Sequence, residues 1–114
     1  EYARVAMIHI DNEQVVEALS RIYWYTAETG LVRQDGELRI CGAAILTSRQ
    51  ETVRAMAADT RRLTFDLDRV AATGFVYRSL QDAYWVMGSI DTFDQVADAL
   101  DSLARNISTT GVIA

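Results

Sequence analysis

The sequence predicts an α+β domain: a ferredoxin-like βαββαβ core with an added antiparallel strand and a C-terminal helix. Three observations carry this expectation. Segments with helical apolar spacing alternate with short apolar runs. Two turn signals, Asp35-Gly36 and Gln81-Asp82, fold neighbouring runs back as hairpins. Finally, Ala83 to Ile90 is apolar on both faces, so the sheet that holds it needs cover on both sides, from helices or from a second subunit.

The elements follow in order. Val5 to Ile10 is a continuous apolar run and predicts a buried strand. Asp11 and Asn12 stop it and offer side-chain oxygens to the free N–H groups of a following helix. That helix carries Val15, Val16, Leu19, Ile22 and Tyr23 at helical spacing and stops at Gly30. Leu31 to Leu46 reads as a hairpin about Asp35-Gly36, with Leu38 to Leu46 as its second arm. Ser48 and Glu51 form a capping box for a long helix through Val53, Met56, Leu63, Leu67 and Val70 to about Thr73, weakest at Thr64-Phe65. The hairpin Phe75 to Ile90 comes next. Thr92 with Gln95 repeats the capping pattern, and the last helix sets Phe93, Val96, Leu100, Leu103 and Ile107 opposite Asp94, Asp98 and Asp101.

At 114 residues, half of them hydrophobic, the chain makes one domain over 1–114 with a core that needs no disulfide or metal. It begins at Glu1 rather than Met, as expected of a piece excised from a longer protein. No apolar run approaches the ~20 residues of a membrane span, and a basic, long-cored leader is missing. The single Cys41 gives no internal disulfide, so a cytoplasmic protein is expected. A net charge of −5 argues against gripping a nucleic-acid backbone. Eleven Arg and no Lys exclude Schiff-base chemistry and a phosphate-loop lysine. That composition is what a GC-rich, bacterial-type coding bias produces.

Few residues invite chemistry. His9, the only histidine, shares a strand face with Asp11 in this reading, which is half of a general-base pair. A histidine bonded to backbone at the core edge accounts for it more simply. One His and one Cys do not assemble a zinc site. Cys41 lies in an apolar segment and reads as a buried, inert thiol. The aspartates of the long and last helices fall on the water side. No catalytic residue, metal site or cofactor is therefore expected.

The aromatics are the stronger signal. Tyr23, Trp24 and Tyr25 are consecutive on a helix, point about 100° apart and cannot all enter one core. With Tyr77, Tyr84, Trp85 and Met87 they suggest an apolar pocket or subunit interface. Arg33, Arg39 or Arg78 stand ready to hold an anionic end of a ligand. The function expected is a homo-oligomeric regulatory or sensory domain binding a small, largely apolar or aromatic effector. The alternative is a structural self-assembly or protein-interaction subunit without a small-molecule ligand. A small enzyme using His9 as base stands third. Partners are thus a second copy of itself and a small-molecule effector, with neither nucleic acid nor membrane.

Overall fold

A computed structural model describes residues 2–75 and 83–110. They form a mixed α+β structure around a four-stranded sheet. In chain order the elements are α1 (Tyr2–Ile8), α2 (Glu13–Tyr23), a π-helical turn (Trp24–Glu28), β1 (Leu31–Gln34), β2 (Glu37–Ile40), α3 (Ala43–Leu46), α4 (Arg49–Met56), β3 (Arg61–Thr64), α5 (Leu67–Ala71), β4 (Ala83–Met87) and α6 (Thr92–Thr110). The strand order is β2-β1-β4-β3. β1 and β2 are antiparallel, whereas β4 runs parallel to both β1 and β3.

Several local expectations are met for the reasons given. Asn12 caps α2 by accepting from the Val15 N–H at 3.2 Å. Ser48 caps α4 by accepting from the Glu51 N–H at 3.2 Å. Asp35 and Gly36 both take positive φ, 52° and 79°, as a two-residue hairpin turn requires. The aspartates 94 and 98 of α6 lie in solvent, and Val96, Leu100, Leu103 and Ile107 enter the core.

Three expectations fail. The run Val5 to Ile10 is mostly helix, not strand, so the described residues lack the opening strand of a ferredoxin-like βαββαβ core. Only Val5 of that run is buried; Met7, Ile8 and Ile10 are 57–69% exposed. Tyr2 and Ala6 pack beside Val5, a spacing of three and four residues that is helical. The arm Leu38 to Leu46 leaves the sheet after Ile40, because the Cys41 and Gly42 N–H groups both bond Gly30 O (3.1 and 3.0 Å). The chain then turns into α3. The long helix ends at Met56, and Arg61–Thr64 becomes a strand that pairs with β4 from Arg61↔Ala83 to Thr64↔Val86. The Thr64-Phe65 weakness marked this break, but strand pairing moved it upstream. Of the hairpin Phe75 to Ile90, its second arm forms β4; the turn Gln81-Asp82 and residues 76–80 lie outside the described residues.

The requirement for cover on both faces of β4 is met within one chain. On one face Trp85 joins Ile22, Tyr25, Val70 and Leu100 under α2, α5 and α6. On the other, Tyr84 and Val86 pack with Leu31, Ile45 and Ala55 under α3 and α4. Asp66 caps α5 by accepting from the Arg69 N–H at 3.1 Å, and the Arg69 guanidinium lies 5.2 Å from the centre of the Trp85 ring. Among the described residues no helix is long and apolar enough to cross a membrane.

Candidate functional site

An open groove of about 630 Å³ runs between α1, α2 and the π turn. Its walls are Tyr2, Ala3 and Ala6 of α1, Val16, Leu19, Ser20 and Tyr23 of α2, Trp24 and Glu28 of the π turn, and Phe75. Trp24 stacks on Phe75 (ring centres 4.9 Å apart, planes 12° apart), and Tyr2 meets Tyr23 edge-on at 5.3 Å. These contacts hold the aromatic rims in fixed orientations.

The π turn sets what faces the groove and what faces the core. The Thr29 N–H bonds Trp24 O at 2.8 Å, five residues back, and the Thr29 hydroxyl donates to the same oxygen at 2.9 Å. The wider turn leaves Trp24 and Glu28 on the groove side and turns Tyr25 and Thr26 inward. Single π turns of this kind recur at functional sites because they re-aim side chains without ending the helix. The turn is braced from behind. A Cβ on Gly42 would stand 2.5 Å from Glu28 O, and one on Gly30 would stand 2.5 Å from Thr26 O. Both glycines therefore permit close backbone approach that larger residues would block.

Among the described residues Glu28 is the one ionisable carboxylate in this apolar lining. The Tyr2 hydroxyl is buried without a hydrogen-bond partner of normal geometry among the described residues. Burial pushes its pKa up, against the opposing effect of the nearby Thr26 hydroxyl. The Ser20 hydroxyl is already engaged, donating to Val16 O at 2.9 Å.

The predicted site residues scatter. Tyr23 and Trp24 line the groove. Tyr25 does not: it is buried behind it, donates its hydroxyl to Gly74 O at 2.5 Å, and meets Trp85 edge-on at 6.5 Å. Tyr84, Trp85 and Met87 are buried core residues of β4 and do not line this groove. The Tyr84 hydroxyl donates to the Glu51 carboxylate, tying the sheet to α4. Burial first, then that carboxylate, raise the Tyr84 pKa. Arg39 pairs with Glu37 at 2.6 Å on the exposed hairpin, away from the groove. Tyr77 and Arg78 lie outside the described residues. His9 is not paired with Asp11; it ends the α1 turn with Nδ1 3.3 Å from the Ser108 hydroxyl. Sequence reasoning missed Glu28 and Phe75. The signal for Glu28 was its place four residues after Trp24, on the same helical face.

Comparison with known proteins gives this groove a context. The family model of biopterin-dependent aromatic amino acid hydroxylases matches residues 5–111. The chain is 41% identical over 85 residues to the phenylalanine-4-hydroxylase of Ralstonia nicotianae, covering 74% of this chain and 26% of that protein. It is 31% identical over 96 residues to rat tyrosine 3-monooxygenase, covering 84% of this chain and 19% of that one. An iron- and phenylalanine-bound phenylalanine hydroxylase from Chromobacterium violaceum superposes with a TM-score of 0.77 at 29% identity, over 96% of this chain and 41% of that one. The chain thus spans about a quarter of the length of the bacterial relative and less of the mammalian one. With 107 consecutive positions matched, from residue 5 to residue 111, the chain belongs to the family of biopterin-dependent aromatic amino acid hydroxylases.

Proposed function

We propose that this chain supplies one wall of the substrate site of an aromatic amino acid hydroxylase. The observation that carries the reading is a lone carboxylate, Glu28, in an aromatic groove on a π turn. An amino acid's ring would lie against Trp24 and Phe75, whose stacked faces exclude water and favour a further aromatic. Glu28 would stand beside it as the groove's charged group.

A related hydroxylase carries iron with phenylalanine. The fit to iron here is partial. A carboxylate oxygen suits non-haem iron, whose usual oxygenase site adds two histidines. Among the described residues, however, no three His, Cys, Asp or Glu side chains converge. His9 is not part of the groove lining. Glu28 would be this chain's donor, and the remaining donors would come from elsewhere in a longer hydroxylase. Bound iron would supply the oxygen-activating chemistry that ring hydroxylation needs. What these residues contribute themselves is orientation of the ring, exclusion of water and one fixed negative charge.

The regulatory reading uses the same aromatic groove. An aromatic effector filling the groove would bias folding or assembly without being oxidised. The two readings separate on one pair of variants in the full-length protein. Glu28→Gln should abolish hydroxylation of phenylalanine by on the order of a hundredfold or more while the chain still folds. Trp24→Ala should weaken phenylalanine binding by about tenfold. Unchanged turnover in Glu28→Gln would overturn the substrate-site reading. Retained phenylalanine binding without any turnover in the wild type would favour the effector.

A further inference from the structure

A second cleft lies on the opposite side of the sheet. The three strands β1, β4 and β3 run parallel, so their carboxyl ends lie along one edge. Ligands of open sheets with parallel strands collect at that edge, where the strands end and loops diverge. Here the edge holds a cleft of about 160 Å³ lined by Arg33, Arg62, Thr64, Val86, Met87 and Gly88, among others.

The register sets two arginines on one face of the sheet, Arg62 opposite Tyr84 and Arg33 level with Gly88, and both reach the cleft. Val86 is paired with both Leu31 and Thr64, so these three share a face of the sheet. Side chains two residues apart also share a face. Arg33, Arg62 and Gly88 therefore stand on that face with Thr64. α3 and α4 cover its other end, where Ile45 and Ala55 pack on Tyr84. Arg62 is fixed in place, since its Nη1 donates to Ala55 O and Ala57 O, both at 2.9 Å. Those bonds use one nitrogen and leave the rest of the planar fork to other partners. The Arg33 side chain makes no hydrogen bond, ion pair or ring contact among the described residues. In a chain of net charge −5, that is unusual for an arginine on a sheet face. A Cβ built on Gly88 meets nothing within 4 Å, so the mouth is open. Among the described residues no carboxylate lines the cleft.

We propose that this cleft is an oxyanion site, built by Arg33 and Arg62 with the Thr64 hydroxyl, for a phosphate-sized group. Guanidinium forks match phosphate and carboxylate oxygens, and one fixed arginine beside one free arginine gives a preformed half and an adaptable half. The cleft holds the charged end only; the remainder of the ligand lies in solvent beyond Gly88. The proposal is independent of the hydroxylase reading, because this face and the aromatic groove share no residue.

The test is the 31P linewidth of inorganic phosphate titrated with the full-length protein at constant ionic strength. Saturable broadening is expected, and Arg33→Ala should weaken it by at least about tenfold. The control is Arg39→Ala. Arg39 is on the same hairpin with the same charge, but it pairs across from Val32, on the other face. It should leave phosphate binding unchanged. Arg62→Gln should also abolish binding; if loss of its carbonyl bonds unfolds the protein, the comparison of Arg33 with Arg39 still decides. Sodium acetate distinguishes the sources: displacement of phosphate assigns the site to carboxylates as well, and no displacement restricts it to phosphate. Equal losses in Arg33→Ala and Arg39→Ala, or no saturable broadening, would show diffuse charge only and overturn the proposal.

Discussion

Single residues here owe their chemistry to what surrounds them. Cys41 is half-buried and its Sγ lies 3.2 Å from Gly30 O, to which it donates. Burial raises its pKa from an ordinary 9.0 up to about 11. The thiolate is the reactive form, so alkylation of Cys41 by iodoacetamide at pH 8 should run roughly a hundredfold slower than for a free thiol. A rate equal to that of a small-molecule thiol would refute the burial. The same shift has a sign in stability. Below about pH 9 the thiol keeps its proton folded or unfolded. Between pH 9 and 11 only the folded chain keeps it, so the unfolded state gains and stability falls as pH rises. The buried tyrosines Tyr2, Tyr25 and Tyr84 are shifted in the same direction and steepen the loss at higher pH. At the other end of the scale, the Arg4 hydrogen bond at 2.6 Å holds the exposed Asp101 carboxyl below its usual range. An exposed pair of this kind contributes little.

At the scale of elements, the junction between the π turn and the end of β2 is the decisive construction. Two N–H groups converge on Gly30 O, and Gly42 lets the backbone of Glu28 and Thr29 come within contact of its own Cα. Gly42→Ala should therefore push the two segments apart. We expect a loss of about 2 kcal/mol or more in denaturant melts, as for other forced overpacking. Under the proposed substrate-site reading, hydroxylation by the full-length protein should fall further than stability, because Glu28 moves with the turn. An unchanged melt together with unchanged phenylalanine turnover would mean that the close approach is not needed. The neighbouring helix boundaries were legible because capping acts locally: Asn12 and Ser48 each satisfy an N–H three residues on. The strand Arg61–Thr64 was not legible. Its one apolar residue, Leu63, falls in the helical spacing of Met56, Leu67 and Val70, and only the partner strand β4 makes the segment extended.

For the whole molecule, the question posed by β4 was what covers its two faces. Helices from the same chain cover both, so Trp85, 3% exposed, is an anchor of the core rather than of an interface. Trp85→Ala should lower the stability of the fold by about 3–5 kcal/mol. It should not act first on assembly; sedimentation showing a folded, dissociated Trp85→Ala subunit would overturn that assignment. The apolar surface left over lies elsewhere, at Met7, Ile8 and Ile10 on and after α1. Self-association of this subunit, if it occurs, is proposed to use that surface and not the sheet.

What the amino-acid sequence determined by itself is local. It set the helix caps at Asn12 and Ser48, the Asp35-Gly36 turn, the amphipathic stripe of α6 and the two-sided burial of β4, each through neighbours within a few residues or a short period. It also marked Tyr23 and Trp24 as aromatics that could not all enter the core. Tertiary structure decided the rest. It made a helix of an apolar run whose side chains find little to bury against, and it drew Arg61–Thr64 into the sheet. It also set the faces: Tyr25, Tyr84 and Trp85 went inward, and Glu28 came to the groove. The physical reason is that a side chain's face depends on which distant segment arrives opposite it, and no local pattern of residues encodes that arrival.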